Sequence, residues 1–162
     1  MFLQSLIEAE EGMLSYETLD AIADSVNPTL GVVSLLVPWV KRNRSWRQAL
    51  LLNAITFVAV ALAYVLQALD NATGVWPSAG LDFSTHTAIF IAVASSLWQH
   101  GIAWRWGVLA VGAGYAILMR IQNYHSWLDM ITTSIAIVPL LVLIWWAVGR
   151  LPWSNARAYS NG

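Results

Sequence analysis

The sequence predicts an all-α fold, a polytopic membrane helical bundle of about five transmembrane helices with an amphipathic N-terminal segment. Composition comes first. The 162 residues are 58% hydrophobic and only 10% charged, with a mean hydropathy of +0.60, whereas soluble domains carry about 25% charged residues. A chain so poor in charge cannot cover a water-facing surface, and a bilayer must take that role. Apolar runs near the roughly 20 residues that a bilayer core demands then recur along the chain. Basic residues and tryptophans collect where those runs end.

The first run, from Ala21 or Asn27 to Val40, has a short core from Leu30 to Val40 and contains Pro28 and Pro38. It reaches spanning length only if the preceding stretch with Asp20 and Asp24 continues the helix. The second run, Ala49 to Leu69, is uninterrupted. The third covers Ser84 to Trp98, the fourth Ile102 to Met119, and the fifth Trp127 to Val148. Residues 1–24 are expected as an acidic amphipathic segment, 25–150 as the bundle and 151–162 as a cytoplasmic tail. Met1 to Ile7 is apolar with no basic residue before it, and Glu8, Glu10 and Glu11 follow. That is not a signal-peptide pattern, so the chain is expected to be retained whole.

Charge then orients the spans. Lys41, Arg42, Arg44 and Arg47 fall between spans one and two, Arg105 between three and four, and Arg150 and Arg157 after span five. Those segments share one side, which the positive-inside rule makes cytoplasmic. Arg120 alone falls opposite. Glu8, Glu10, Glu11, Glu17, Asp20, Asp24, Asp70, Asp82 and Asp129 give the mirror image. Trp39, Trp46, Trp98, Trp104, Trp106, Trp145, Trp146 and Trp153 lie near the inferred cytoplasmic interface, and Trp76 and Trp127 near the outer one. Indole prefers that level because its N–H stays wet while the ring is buried. The expected location is the inner (cytoplasmic) membrane, multi-pass, with the N-terminus outside. Small residues in span four (Gly107, Ala110, Gly112, Ala113, Gly114) are expected to let a neighbouring helix approach closely.

A net charge of −1 gives no reason to expect nucleic acid as a partner. The absence of cysteine removes disulfides, thiolate nucleophiles and sulfur-ligated metals. What chemistry remains gathers at the outer face. His86 begins span three, and His125 precedes span five. His125 and Asp129 are spaced i, i+4, one turn apart on one face of a helix. A carboxylate there can fix the imidazole tautomer and leave the other ring nitrogen free to attack. Ser84, Thr85 and His86 sit at a helix N-terminus, where unpaired N–H groups and the dipole suit an anion. Arg120 adds a guanidinium for phosphate. Each element taken singly has a plainer reading: Ser84 and Thr85 as caps, Arg120 snorkelling to lipid phosphate, the histidines as interfacial polar residues. Their convergence on one side of the membrane favours phosphoryl transfer on a lipid. His100, at the other end of span three, is read as structural.

Ser84-Thr85-His86-Thr87 resembles the Pro-Ser-Gly-His element of the type 2 phosphatidic acid phosphatase superfamily. Arg120 with His125-Ser126-Trp127-Leu128-Asp129 resembles that family's Ser-Arg-x5-His-x3-Asp element, and Asp82 to Thr87 is similar to the Ser-Gly-His-Thr element of sphingomyelin synthases. The likeness spans Asp82 to Thr133, about a third of the chain. It implies His125 as a nucleophile forming phosphohistidine, Asp129 orienting it, His86 as the acid for the leaving alkoxide, and Arg120 with Ser84 and Thr85 holding phosphate. It implies no metal and no cofactor. The family's basic Lys-x6-Arg-Pro element has no counterpart here, since no Lys or Arg lies between Arg47 and Arg105. Thr85 stands for its glycine, Met119 for its serine, and Arg120 is one residue closer to the histidine.

The expected function is therefore an integral-membrane lipid phosphatase or phosphotransferase, with a phosphate-bearing lipid and the bilayer as partners. The alternative is a non-catalytic lipid-binding or partner-binding subunit that keeps the fold. A channel would place more polar residues deep in the spans. A homo-oligomer or a partner subunit is compatible with either of the first two.

Overall fold

The computed structural model describes residues 2–40 and 45–150, with side chains from Tyr16 onward. Among them there is no strand. The helices run in the order α1 (Phe2–Val40), α2 (Trp46–Thr73), α3 (Val75–Ser78), α4 (Thr85–Trp98), α5 (Ile102–Ile121) and α6 (Trp127–Gly149). Four stretches, Tyr16–Val40, Trp46–Thr73, Ile102–Ile121 and Trp127–Gly149, are long and apolar enough to cross a membrane, and Thr85–Trp98 is a shorter apolar helix. The chain is an all-α polytopic bundle.

Local chemistry sets the helix ends. Ser45 caps α2 in a reciprocal box with Gln48, and Gly74 closes it in the left-handed conformation at φ 65°. Ser84 caps α4 by accepting from Thr87 N, and Ser126 caps α6 in a second box with Asp129. These Ser-x-x-Gln and Ser-x-x-Asp pairs satisfy backbone donors that a helix start leaves orphaned. α1 continues through residue 24 and through Pro28 and Pro38 without a break. The acidic segment and the first span are therefore one helix, as spanning length required. Prolines are tolerated inside such a helix because neighbours can re-satisfy freed backbone groups. Residues 41–44 and the tail 151–162, with Lys41, Arg42, Arg44 and Arg157, lie outside the described residues, as do the side chains of 1–15.

The shortest of the apolar helices is the central one. α4 packs against α1, α2, α5 and α6. Ala88 and Ala92 of α4 join Ala59 and Ala63 of α2 with Phe83, Ile137 and Leu141 in one buried cluster. The small side chains let the two backbones approach, and the seam carries a buried hydrogen bond between Thr56 Oγ1 and Ser96 Oγ at 2.8 Å. A second cluster joins Ala23 of α1 to Phe90, Tyr115, Met119 and Met130. At about 1.5 Å per residue α4 is roughly 21 Å long, against about 30 Å of hydrocarbon. Its ends are reached by loops instead of helix, and the histidines gather at one of those ends.

At the opposite end the described basic side chains lie over tryptophans: Arg47 over Trp46 at 5.3 Å, Arg105 over Trp98 at 5.5 Å and Arg150 over Trp146 at 3.7 Å. Two tryptophans also hold the bundle together. Trp145 Nε1 donates to Ser95 Oγ at 3.0 Å, and Trp76 Nε1 to Thr132 Oγ1 at 3.0 Å. Of the glycines in α5, Gly112 makes the close approach: a Cβ there would lie 2.9 Å from the Phe90 ring, while Gly107 and Gly114 have nothing within 4 Å. Gly112→Val should therefore cost about 1–3 kcal/mol through overpacking, read as a lowered melting temperature in detergent, while Gly114→Ala should leave it nearly unchanged.

Candidate functional site

The ends of α2 and α5 and the starts of α4 and α6 meet at one end of the bundle, and both expected histidines are there. The rings of His86 and His125 stand 6.1 Å apart between centroids, tilted by 54°. His86 lies in the first turn of α4, where its ring stacks on Tyr124 at 5.9 Å and 29°. Its carbonyl accepts from Asn27 Nδ2 of α1 at 3.1 Å, and that amide also donates to the Tyr115 hydroxyl at 3.2 Å. An intramembrane amide thus ties α1 to α4 and α5 just beneath the histidine.

His125 is not on a helix. The capping box places the start of α6 at Trp127 with Ser126 as its cap, so His125 precedes the helix and the i, i+4 spacing to Asp129 does not make a shared face. The Asp129 carboxylate is turned elsewhere. Its Oδ1 accepts from Asp82 N at 2.8 Å and its Oδ2 from Ser126 N at 2.7 Å, and the residue is only 8% exposed. Asp129 straps the α3–α4 loop to the start of α6. The carboxylate facing the imidazole is Asp82, whose Oδ2 lies 3.4 Å from His125 Nδ1. The His125 side chain is 9% exposed and that of Asp82 68% exposed. Nδ1 is buried with no hydrogen-bond partner among the described residues, and rotation of the solvent-facing Asp82 side chain would close the gap.

The residues expected to hold phosphate are engaged within the protein. Ser84 Oγ donates to Thr87 Oγ1 at 2.8 Å and accepts from Thr87 N at 3.3 Å, while Ser84 N donates to Thr133 Oγ1 at 2.9 Å. Thr85 Oγ1 donates to Gln67 Oε1 of α2, and Thr85 N to Phe83 O. Capping has therefore taken donors that an anion would use. Arg120 is exposed near the end of α5 and donates to Asn123 Oδ1 at 3.0 Å. Among the described residues no group of three or more His, Cys, Asp or Glu could hold a metal ion.

Two contributors carried no role in the sequence reading. Asp82 stood inside the recognised stretch without one, and Tyr124 had none. The hydroxyl of Tyr124 donates to Asp20 of α1, and this bond, with smaller contributions from desolvation and Asp20 charge, pushes its pKa up to about 12. Burial lowers the pKa of His125 below its ordinary value, His86 adds to that, and Asp82 and Asp129 oppose it. His125 is thus a neutral imidazole at pH 7. A readable signal for Asp129 was present: Ser-x-x-Asp before an apolar run is a capping box as well as half of a histidine motif.

Compared with protein-family models, curated proteins and solved structures, the chain has no match in any of the three.

Two outcomes are expected. Asp129→Ala removes the acceptor for two backbone donors, at about 1–3 kcal/mol for each donor left buried and unpaired, whereas Asp82→Asn keeps its backbone bond and should change stability by less than about 0.5 kcal/mol. Thermal unfolding in detergent separates them. Because folding lowers the His125 pKa, the unfolded chain binds the proton more readily. Stability is therefore full above about pH 6.5 and falls as the pH drops toward the lowered folded value. Melting curves at about pH 7.5 and pH 5.5 should differ, and His125→Asn should flatten that difference.

Proposed function

We propose that this chain is a lipid phosphatase or phosphotransferase working at the outer leaflet through a phosphohistidine on His125. The supporting observation is the meeting of His86 and His125, from segments separated by two membrane crossings, beside a carboxylate and a tyrosine at one end of the bundle. A neutral imidazole is a nucleophile. Asp82 beside Nδ1 favours the tautomer with the proton on that nitrogen, which leaves the Nε2 lone pair to attack phosphorus. As the P–N bond forms, the P–O bond to the lipid breaks, and protonated His86 gives its proton to the departing oxygen. Water, or a second alcohol in a transferase, then attacks the phosphohistidine. His86 takes the proton from it, the P–N bond breaks, and both imidazoles are restored. Asp82 takes the orienting role that motif likeness gave to Asp129, and Asp129 acts through the backbone. The orientation rests on the arginine–tryptophan contacts at the opposite end and the positive-inside rule.

Charge refines the substrate. Asp20, Asp24, Asp70, Asp82 and Asp129 share this end with Arg120 as its described cation. Positioning and charge neutralisation supply most of the catalysis in phosphoryl transfer, so a phosphodiester with a single negative charge suits the site better than a dianionic monoester. The same imbalance favours a second reading, in which the bundle binds a lipid or a partner without turnover.

The deciding experiment is turnover of lipid monoesters and headgroup-bearing phosphodiesters by the purified protein, wild type beside His125→Ala and Asp82→Asn. A nucleophile's loss should cost at least about a hundredfold and remove an acid-labile phosphorylated intermediate. Asp82→Asn should slow turnover less and shift its pH profile. Absence of turnover of every lipid class by wild type would sink the enzyme and leave the binding subunit.

A further inference from the structure

α5 and α6 follow one another in sequence but make little contact, and α4 floors the gap between them. Two contiguous apolar cavities of about 540 and 780 Å³ fill it, sharing Phe90, Ile91, Val108 and Leu109 in their walls. One end opens beside Thr87 and Trp127, the immediate neighbours of His86 and of the His125-Ser126 cap. The other closes on Trp98, Trp145 and Trp146. The hydroxyls and the amide in its walls are already spent: Thr87 Oγ1 accepts from Ser84, Ser134 Oγ donates to Met130 O, Ser95 Oγ accepts from Trp145 Nε1, and Gln99 Nε2 donates to Ser95 O. Among the described residues the polar atoms left in its walls lie at its two ends, the Trp127 indole at one and the Trp98 and Trp146 indoles with the Gln99 amide at the other. The length between them is apolar, so its occupant is hydrocarbon.

We infer that this groove is the tail-binding site for one long hydrocarbon chain of a lipid whose phosphate meets His86 and His125. Along α4 it runs from Thr87 to Gln99, about 18 Å of helix rise, which exceeds half of the roughly 30 Å hydrocarbon core. A chain held at the histidines follows it past the midplane, and a long acyl or isoprenoid tail fits where a short one leaves the far end empty. Continuity of the groove with the histidine end distinguishes it from the lipid-facing surface of α2, where Phe57, Val58, Tyr64 and Val65 are exposed. The inference rests on the reading of that end as a lipid-phosphate site, and it adds the tail that the site selects.

The test is photolabelling of the full chain in nanodiscs by a lipid phosphate with a diazirine at the end of its long chain, mapped by peptide mass spectrometry. Label is expected on α4, α5 and α6 residues of the groove. Ala113→Trp, which places an indole in the gap, should lower it at least several-fold, Leu109→Trp should do the same, and Ala110→Trp, off the groove, should not. Labelling is read on the wild-type protein whether or not turnover occurs, so the groove is judged separately from the chemistry: labelling without phosphate release sinks the enzyme alone. Label equal on α2, equal with the neutral alcohol carrying the same chain, or unmoved by both groove variants would overturn the inference. So would crosslinks showing that a second copy of the chain occupies the gap.

Discussion

The histidine end depends on one buried carboxylate. Asp129 accepts two backbone N–H groups, one from its own helix cap and one from Asp82, 47 residues earlier. Hydrogen bonds to charged groups contribute about 1.5–3 kcal/mol each, and here they do so where little water competes. That strap, with Ser84 N on Thr133 Oγ1, sets the register of the α3–α4 loop against α6 and with it the placing of His86 beside His125. Phe83 reinforces it: buried beside Asp82, it packs edge-on against Trp76 at 5.0 Å. The carboxylate is therefore a structural keystone at a position where sequence likeness would assign a catalytic partner.

A short central helix explains why such a strap is needed. α4 touches all four spanning helices but is only roughly 21 Å long, so its N-terminus begins inside the bundle's end and is reached by a loop. Loop backbone at that depth carries polar groups that need partners. Asp129 and Thr133 of α6 supply them to Asp82 N and Ser84 N, and Gln67 of α2 and Asn27 of α1 hold the Thr85 hydroxyl and the His86 carbonyl in the first turn of α4. The same residues that satisfy the loop hold its histidine, so stability and site geometry share one polar network. Networks of this kind are costly when half satisfied, and they leave few donors to spare for a bound anion.

That economy shapes the chemistry this end can support. The Ser84 and Thr85 hydroxyls and the N–H groups of Thr85 and Thr87 are bonded within the protein, and Arg120 is paired with Asn123. What remains is a neutral imidazole, a second imidazole beside it, and carboxylates around both. Such a set can transfer protons and attack phosphorus, but it neutralises little charge. On the proposed reading the apolar groove offsets this in part, because binding free energy from a remote tail can hold a weakly clamped headgroup in place.

Hydropathy, charge asymmetry and caps are properties of neighbouring residues, and they were legible in the sequence alone. Five apolar runs, their ends within a few residues except the start of the first, and the gathering of His86 and His125 at one end all followed from the chain read in one dimension. The joining of the acidic segment to the first span could be posed there but not decided, since Pro28 and Pro38 leave the local preference divided. Which carboxylate faces His125 was beyond the sequence. Spacing suggested Asp129, but the choice turned on which backbone donors lay within reach of it, and Asp82 N arrives only when α4 is seated among four other helices. Contact between distant segments is set by packing in space, and no local pattern along the chain encodes it.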